Sequence, residues 1–312
     1  MKFFQLIPST TNIDFIGKFK IFVAFSLLTC GIVAAGFFTK GLNYGVDFTG
    51  GTVLQVKFSE PLTIDAVRAL VTEAGEPDAS VVAVGKESLE YMITTGLKPE
   101  PSKGPAWNQQ VVEKAGAGKA TVLSLNVVGP KVGKELKKAA VLSLIYTIIL
   151  ITIYIWFRFD IRFAPGATIA MIHDLIMATG FYIFTGHEFT ITAIAALLTI
   201  AGYSVNDTIV IYDRVRELIK VGGDSLPLPE TINKAINLTL SRTLLTSGIT
   251  LISVIPIIIF CKGEIQDFAT AMAFGIFVGS YSTIYIASPL TIYVERMIGG
   301  KQTSGRPKPV IA

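Results

Sequence analysis

Ionisable side chains inside long apolar runs are the places where this chain could do chemistry. A charged group at the centre of a membrane helix costs about 2.5–3.5 kcal/mol on insertion scales, so such residues are usually paired and functional. The run Ala201–Arg214 holds Asp207 among Val205, Ile209 and Val210, with Asn206 and Thr208 as polar neighbours. Asp213 and Arg214 suit a membrane interface, whereas Asp207 lies six residues deeper, roughly 9 Å at 1.5 Å per residue. The next apolar run opens with Leu240-Ser241-Arg242-Thr243-Leu244-Leu245-Thr246-Ser247-Gly248. Successive spans run in opposite directions, so Asp207 and Arg242 are expected to meet at similar depth. An arginine beside a carboxylate lowers its affinity for a proton, and withdrawing the arginine raises it. A carboxylate that loads and releases protons through a conformational cycle requires such a partner. Thr246, one turn beyond Arg242, would add a hydroxyl or hold water in the same path. Asp174, preceded by His173 within Ile169–Met177, is a second relay candidate. The alternative is structural: a permanent Asp207–Arg242 ion pair that fixes helix packing, with Asp174 and His173 as polar groups hydrogen-bonded between helices. Spacing by itself leaves both open.

Other chemistries fail on their motifs. Gly116-Ala117-Gly118-Lys119-Ala120 resembles a phosphate-loop fragment but lacks the upstream glycine and the Ser/Thr after the lysine. His187-Glu188 lacks the second histidine of a zinc protease, and no Gly-x-Ser-x-Gly is present. Cys30 and Cys261 sit in or beside apolar runs, in no metal or redox spacing, and read as small apolar residues. The chain is not expected to be an enzyme, nor to hold a cofactor or metal.

The elements that must position Asp207 and Arg242 are membrane helices. The 312 residues are 51% hydrophobic and only 16% charged, with mean hydropathy +0.58, whereas a soluble domain carries about 25% charge. A bilayer crossing takes about 20 mostly apolar residues. Six runs qualify: Phe19–Thr39, Ala139–Phe157, Phe163–Thr185, Phe189–Tyr212, Thr243–Phe260 and Phe268–Val294. The first follows a leader too long for a usual signal peptide and is read as a retained span. Lys18 and Lys20, Arg158 and Arg162, Arg214, Arg216, Lys220 and Lys234, and Arg296, Lys301, Arg306 and Lys308 all fall on one side. The opposite short connections hold only Lys262. Positive charge therefore places both termini in the cytoplasm, and basic residues that collect beside apolar runs argue for membrane topology over nucleic acid. Residues 1–39 are then a cytoplasmic terminus and first span, 40–138 an extracytoplasmic domain, 139–295 the remaining five spans and 296–312 a cytoplasmic tail.

Within the long outer segment, Val53–Phe58, Val81–Val84, Tyr91–Thr95 and Ala120–Val128 read as strands, Ile64–Glu73 as an amphipathic helix and Lys98–Gly104 as a loop. Strands interleaved with one or two helices predict a small α+β, ferredoxin-like module. The fold class is thus a multi-pass α-helical membrane protein with six transmembrane helices plus that module. Ala271, Gly275 and Gly279 make a smooth strip for helix contact in the last span, and Pro256 is a candidate kink in the fifth.

Five stretches carry a resemblance to a known family. They are Ile13-Asp14-Phe15-Ile16-Gly17-Lys18, Gly45-Val46-Asp47-Phe48-Thr49-Gly50-Gly51-Thr52, Val128-Gly129-Pro130-Lys131-Val132-Gly133, Gly202–Arg214 and Arg242–Ser247. With them the chain resembles the SecF family, the smaller of the paired SecD/SecF subunits that assist the bacterial Sec protein-export channel. The resemblance implies a resistance–nodulation–division architecture in the inner membrane, with six helices here paired to six of SecD. It also implies that proton flow drives the outer domains and helps unfolded preproteins leave the SecYEG channel. Carried onto this chain, Asp207 is the proton-accepting acid, Arg242 its partner, and Thr246 and Asn206 line the path. The competing readings are half of a proton-driven exporter of lipids or small molecules, and a scaffold whose charges only lock packing. A carboxylate with Asn and Thr neighbours suits proton or sodium alike.

Overall fold

The computed structural model describes residues 11–84, 89–96, 107–116, 118–159, 161–222 and 227–299. The expected loop Lys98–Gly104, most of the connection between the fourth and fifth spans, and the tail beyond residue 299 lie outside them.

The sheet module begins with α2 (Val46–Thr49), a single turn leading into β1 (Gly51–Phe58), and continues α3 (Ile64–Glu73), β2 (Ser80–Val84), β3 (Glu90–Gly96), α4 (Trp107–Ala115) and β4 (Ala120–Val128). Strand order is β2-β3-β1-β4, antiparallel throughout, which is the ferredoxin-like arrangement expected. Alternation drives it: Leu54, Val56 and Phe58 of β1 point to one face with Tyr91 and Ile93 of β3, and Val67, Val71 and Val111 of the two helices cover them. Thr63 starts α3 by accepting the Ala66 N–H at 3.2 Å. β4 is an edge strand without charges that leaves Val122, Leu123, Leu125 and Val127 exposed.

Six helical spans follow or flank the module: α1 (Phe19–Thr39), α5 (Pro130–Arg158), α6 (Ala164–Thr185), α7 (Ile191–Gly222), α8 (Leu228–Phe260), and a sixth built from α9 (Glu264–Ser282), a π-helical turn (Thr283–Ala287) and α10 (Ser288–Gly299). Each contains a stretch long and apolar enough to cross a membrane. α5, α7 and α8 run well beyond the apolar stretches read from sequence, because their polar ends complete helical turns outside the apolar layer. α8 continues through Pro256. The apolar stretches of α6, α7 and the sixth span are 50%, 56% and 56% buried, against 17%, 6% and 17% for α1, α5 and α8. The first three therefore form the centre of the bundle and the others its wall.

Two devices fix the helices that matter most. Gly275 and Gly279 let α9 lie directly on α7: a Cβ at Gly275 would stand 2.4 Å from Ile200 Cδ1, and one at Gly279 3.1 Å from Ser204 Cβ. At the end of the bundle away from the sheet, Asn233 and Asn237 of α8 clamp the segment before α1. Asn237 Oδ1 accepts the Ile13 N–H at 2.8 Å, Asn233 Oδ1 accepts the Phe15 N–H at 2.9 Å, and both side-chain amides donate to Ile13 O. Asp14 then caps the following turn by accepting the Gly17 N–H at 2.7 Å. A Cβ on residue 17 would stand 2.0 Å from that carboxylate, so a side chain there would displace the Asp14 cap.

Candidate functional site

The buried face of α7 carries Ser204, Asp207, Thr208 and Tyr212, spaced so that one stripe holds all four. Asp207 is 2% exposed. Its Oδ2 accepts from Ser247 Oγ of α8 at 3.4 Å, and Ser247 in turn shares a hydrogen bond of 2.9 Å with Ser280 of α9. An acid, two hydroxyls and three helices thus form one node.

A second node surrounds Asp174 of α6, which has no exposure at all. Its Oδ2 accepts from Ser204 Oγ at 2.5 Å and from Ser282 Oγ at 2.7 Å, and its Oδ1 is 2.9 Å from His173 Nδ1. The nodes share two helices. Ser280 and Ser282 lie two residues apart on α9 and so face opposite ways, one toward α8 and one toward α6. Thr208 and Thr283, each next to a node, share a hydrogen bond of 3.0 Å. Thr283 opens the π turn, and its carbonyl accepts both the Ser288 N–H and, at 2.9 Å, the Ser288 Oγ hydroxyl. Such turns interrupt helices most often at functional positions. Below them Tyr212 donates to Ala287 O at 3.2 Å and accepts from Thr291 at 3.0 Å.

Several residues singled out from sequence stand elsewhere. Arg242 is exposed on α8 and forms no ion pair with Asp207. Thr246 returns its hydroxyl to its own helix, donating to Arg242 O at 3.1 Å and Thr243 O at 3.0 Å. Asn206, adjacent to Asp207 and so turned away from it, is exposed in a shallow groove beside Leu150, Ile151 and Tyr154 of α5. Ser204, Ser247, Ser280, Ser282 and Thr283 were not singled out. Their signal was present as hydroxyls one helical turn from an acid, Ser204 three residues before Asp207, and as the cluster Ser280–Thr283 in an apolar run. Thr243 was missed as well: it is 2% exposed and its hydroxyl has no hydrogen-bond partner, one turn from Ser247 on the same face of α8.

At the sheet end of the bundle the α6–α7 connection carries Glu188. Burial pushes its carboxyl above the ordinary value, and the negative charges of Asp267 and Asp47 push the same way.

Six apolar helices with acids and hydroxyls enclosed at their centre, and a ferredoxin-like module on one end, define a multi-pass membrane protein built to hold ionisable groups inside its bundle. Residues 108–297 match the family described as protein export membrane protein SecD/SecF, C-terminal, and residues 35–62 match the SecD/SecF GG motif. The chain belongs to the SecD/SecF family of protein-export membrane proteins. It is 39% identical to the protein translocase subunit SecF of Calditerrivibrio nitroreducens, over 95% of this chain and 98% of that one. It is 38% identical to the protein translocase subunit SecDF of Thermus thermophilus, over 89% of this chain and 38% of that longer protein. The crystal structure of SecDF, a translocon-associated membrane protein from Thermus thermophilus, superposes with a TM-score of 0.81 at 35% identity, covering 93% of this chain and 40% of that one. A SecDF structure in a super-membrane-facing form gives 0.69 at 36% identity over 95% of this chain and 40% of that one. The second form therefore differs more in shape from this chain.

Proposed function

We propose that this chain is the SecF-type accessory subunit of a protein translocase, in which proton passage at Asp207 drives movement of the sheet module and promotes export of unfolded chains. The observation that carries the reading is the Asp207 node: a carboxylate enclosed by three apolar helices, hydrogen-bonded by the single hydroxyl of Ser247, which Ser280 backs, with a cationic Arg242 nearby but not in contact. A permanent ion pair would hold the acid ionised. A guanidinium held short of contact leaves it free to exchange a proton as α8 moves. Thr243, with its free buried hydroxyl, extends the node toward the end of the bundle away from the sheet, and Thr246 lies one turn from Arg242 on the same helix. Asp174 is a second acid on which a proton is held between α6, α7 and α9.

In this reading both termini are cytoplasmic and residues 40–138 lie outside, as the distribution of lysine and arginine supports. The inner-membrane partner is a SecD-type chain, which covers the exposed polar groups Asn206 and Arg242 on otherwise apolar helices. The complex acts beside the SecYEG channel on unfolded preproteins. One proton crossing 100 mV releases about 2.3 kcal/mol, enough to bias a two-state element nearly fifty-fold by the tenfold-per-1.4 kcal/mol rule. The similarity along almost the whole of a SecF relative favours this over a lipid or small-molecule exporter.

The test is preprotein export into inverted vesicles under an imposed proton gradient, comparing wild type with Asp207→Asn. Loss of gradient-stimulated export at normal expression and partner association supports the relay. Unchanged stimulation leaves Asp207 a packing residue, and replacement of the proton gradient by a sodium gradient decides the ion.

A further inference from the structure

The motif Gly45–Gly51 is a stretch of the sequence to which the relay assigns no task, and among the described residues it joins the start of the sheet to the start of helix α7 through a run of hydrogen bonds. Four hydrogen bonds make the junction. Asn43 O accepts the Phe189 N–H at 2.7 Å and Phe189 O accepts the Gly45 N–H at 3.0 Å, which pairs the two segments as a short parallel bridge. Asn43 Nδ2 donates to Gly186 O at 3.1 Å. Asp47 Oδ2 accepts the N–H of Ile191, the first residue of α7, at 2.9 Å. The first amides of a helix have no partner within it, so a carboxylate from another segment here closes the end of α7 and aligns with its dipole.

The rest of the motif makes this junction stiff. Phe48 packs on Phe189 at 6.1 Å between ring centres and Tyr44 packs edge-on to both. A Cβ at Gly45 would stand 2.6 Å from Thr190 Cγ2, and one at Gly133, in the first turn of α5, 3.0 Å from Phe48 O. Gly50 has a φ of +77°, and a Cβ at Gly51 would lie 2.3 Å from Thr95 O of β3. β1 therefore starts in fixed register four residues after Asp47, with no slack between them. On the other side, α7 is an uninterrupted rod from Ile191, and Asp207 stands sixteen residues along it, roughly 24 Å from the junction.

We propose that Asp47 is a positioning residue that couples α7 to the sheet: a shift of α7 at Asp207 reaches β1 through the Asp47–Ile191 hydrogen bond and the bridge beside it. The inference rests on the proposed relay at Asp207 for its source of motion. It assigns a mechanical role to the motif, with no ligand bound there.

The test uses the full chain with its SecD-type partner in proteoliposomes, reading proton flux with an internal pH dye and export in parallel. Asp47→Ala is expected to leave proton flux unchanged and to lower gradient-driven export by about tenfold, the size of losing one helix cap of ordinary strength. Asp47→Asn, which keeps an acceptor oxygen, is expected to restore export. Wild-type export in Asp47→Ala overturns the proposal while leaving the relay intact, and so does loss of flux together with export, which would put Asp47 in the proton path. Loss of neither flux nor export in Asp207→Asn is the separate failure of the relay. Spin labels at the exposed Thr49 and at the exposed Ala195 of α7 in the otherwise unaltered chain keep the test independent of the Asp47 variants' folding. Their distance is expected to stay constant under a gradient while that between labels at Val122 of the sheet and the exposed Ile249 of α8 changes, and a comparable change in both overturns the proposal.

Discussion

The hydroxyl of Ser204 donates to Asp174 Oδ2 at 2.5 Å, one helical turn before Asp207 on the same helix. Asp174 is thus tied to the helix that carries Asp207, and under the proposed relay a proton gained at one acid changes the packing that the other feels. Asp174→Ala strands Ser204 and His173, while Ser282 keeps Gly279 O as an acceptor at 3.1 Å, and each buried donor left unpaired costs about 1–3 kcal/mol. Its unfolding temperature in detergent is expected to fall well below that of Asp174→Asn, which keeps an acceptor. Gradient-driven export by the Asn variant then separates a proton-holding Asp174 from a packing one: loss at unchanged stability supports the first.

Thr243 offers a sharper separation, because its buried hydroxyl bonds to nothing. Thr243→Val keeps the shape and removes a polar group whose burial without a partner costs about 1–3 kcal/mol. The variant is expected to be at least as stable as wild type and to carry less proton flux, whereas Thr243→Ser is expected to retain flux. A stable valine variant with full flux would remove Thr243 from the path.

The contact of α9 on α7 has a specific weak point. Gly275→Ala sets a methyl into Ile200 and is expected to destabilise by about 1–3 kcal/mol, the range for overpacked cores. Ile200→Ala in the same chain is expected to restore most of the loss. Two additive penalties in a thermal-unfolding cycle would contradict the geometry.

Asn233 and Asn237 share Ile13 O, so their substitutions must interact. Each single change to alanine is expected to cost about 1 kcal/mol in chain stability, and the double change less than the sum. The check is a denaturation cycle with all four chains.

Glu188 supplies a pH dependence. Its carboxyl, raised by burial above its ordinary 4.5 with the charges of Asp267 and Asp47 adding, binds its proton more tightly folded than unfolded. Its contribution is therefore fully favourable below pH 4.5 and is lost as the pH rises through the folded value. Glu188→Gln is expected to raise the unfolding temperature at pH 7–8 and to leave it unchanged near pH 4. An equal shift at both would show that the side chain's charge is not what matters.

Much of this was legible along the chain because bilayer crossing and strand alternation are local properties. Twenty apolar residues are a span wherever they pack, and helix Ile64–Glu73 and strand Ala120–Val128 ended where their periodicity ended. Asp207 and Asp174 stood out for the same reason, since an ionisable group in an apolar run is visible without knowing its neighbours. What those acids touch was not legible. The sequence put Arg242 beside Asp207 on depth alone, but depth leaves rotation free, and the contact went to Ser247, five residues further along α8. Hydroxyls such as Ser204, Ser282 and Thr283 are common in helices and show no mark until a partner helix, let close by Gly275 and Gly279, brings an acid within hydrogen-bonding reach. The meeting of Asp47 with the start of α7 joins residues 144 positions apart, and only the tertiary fold could bring them together.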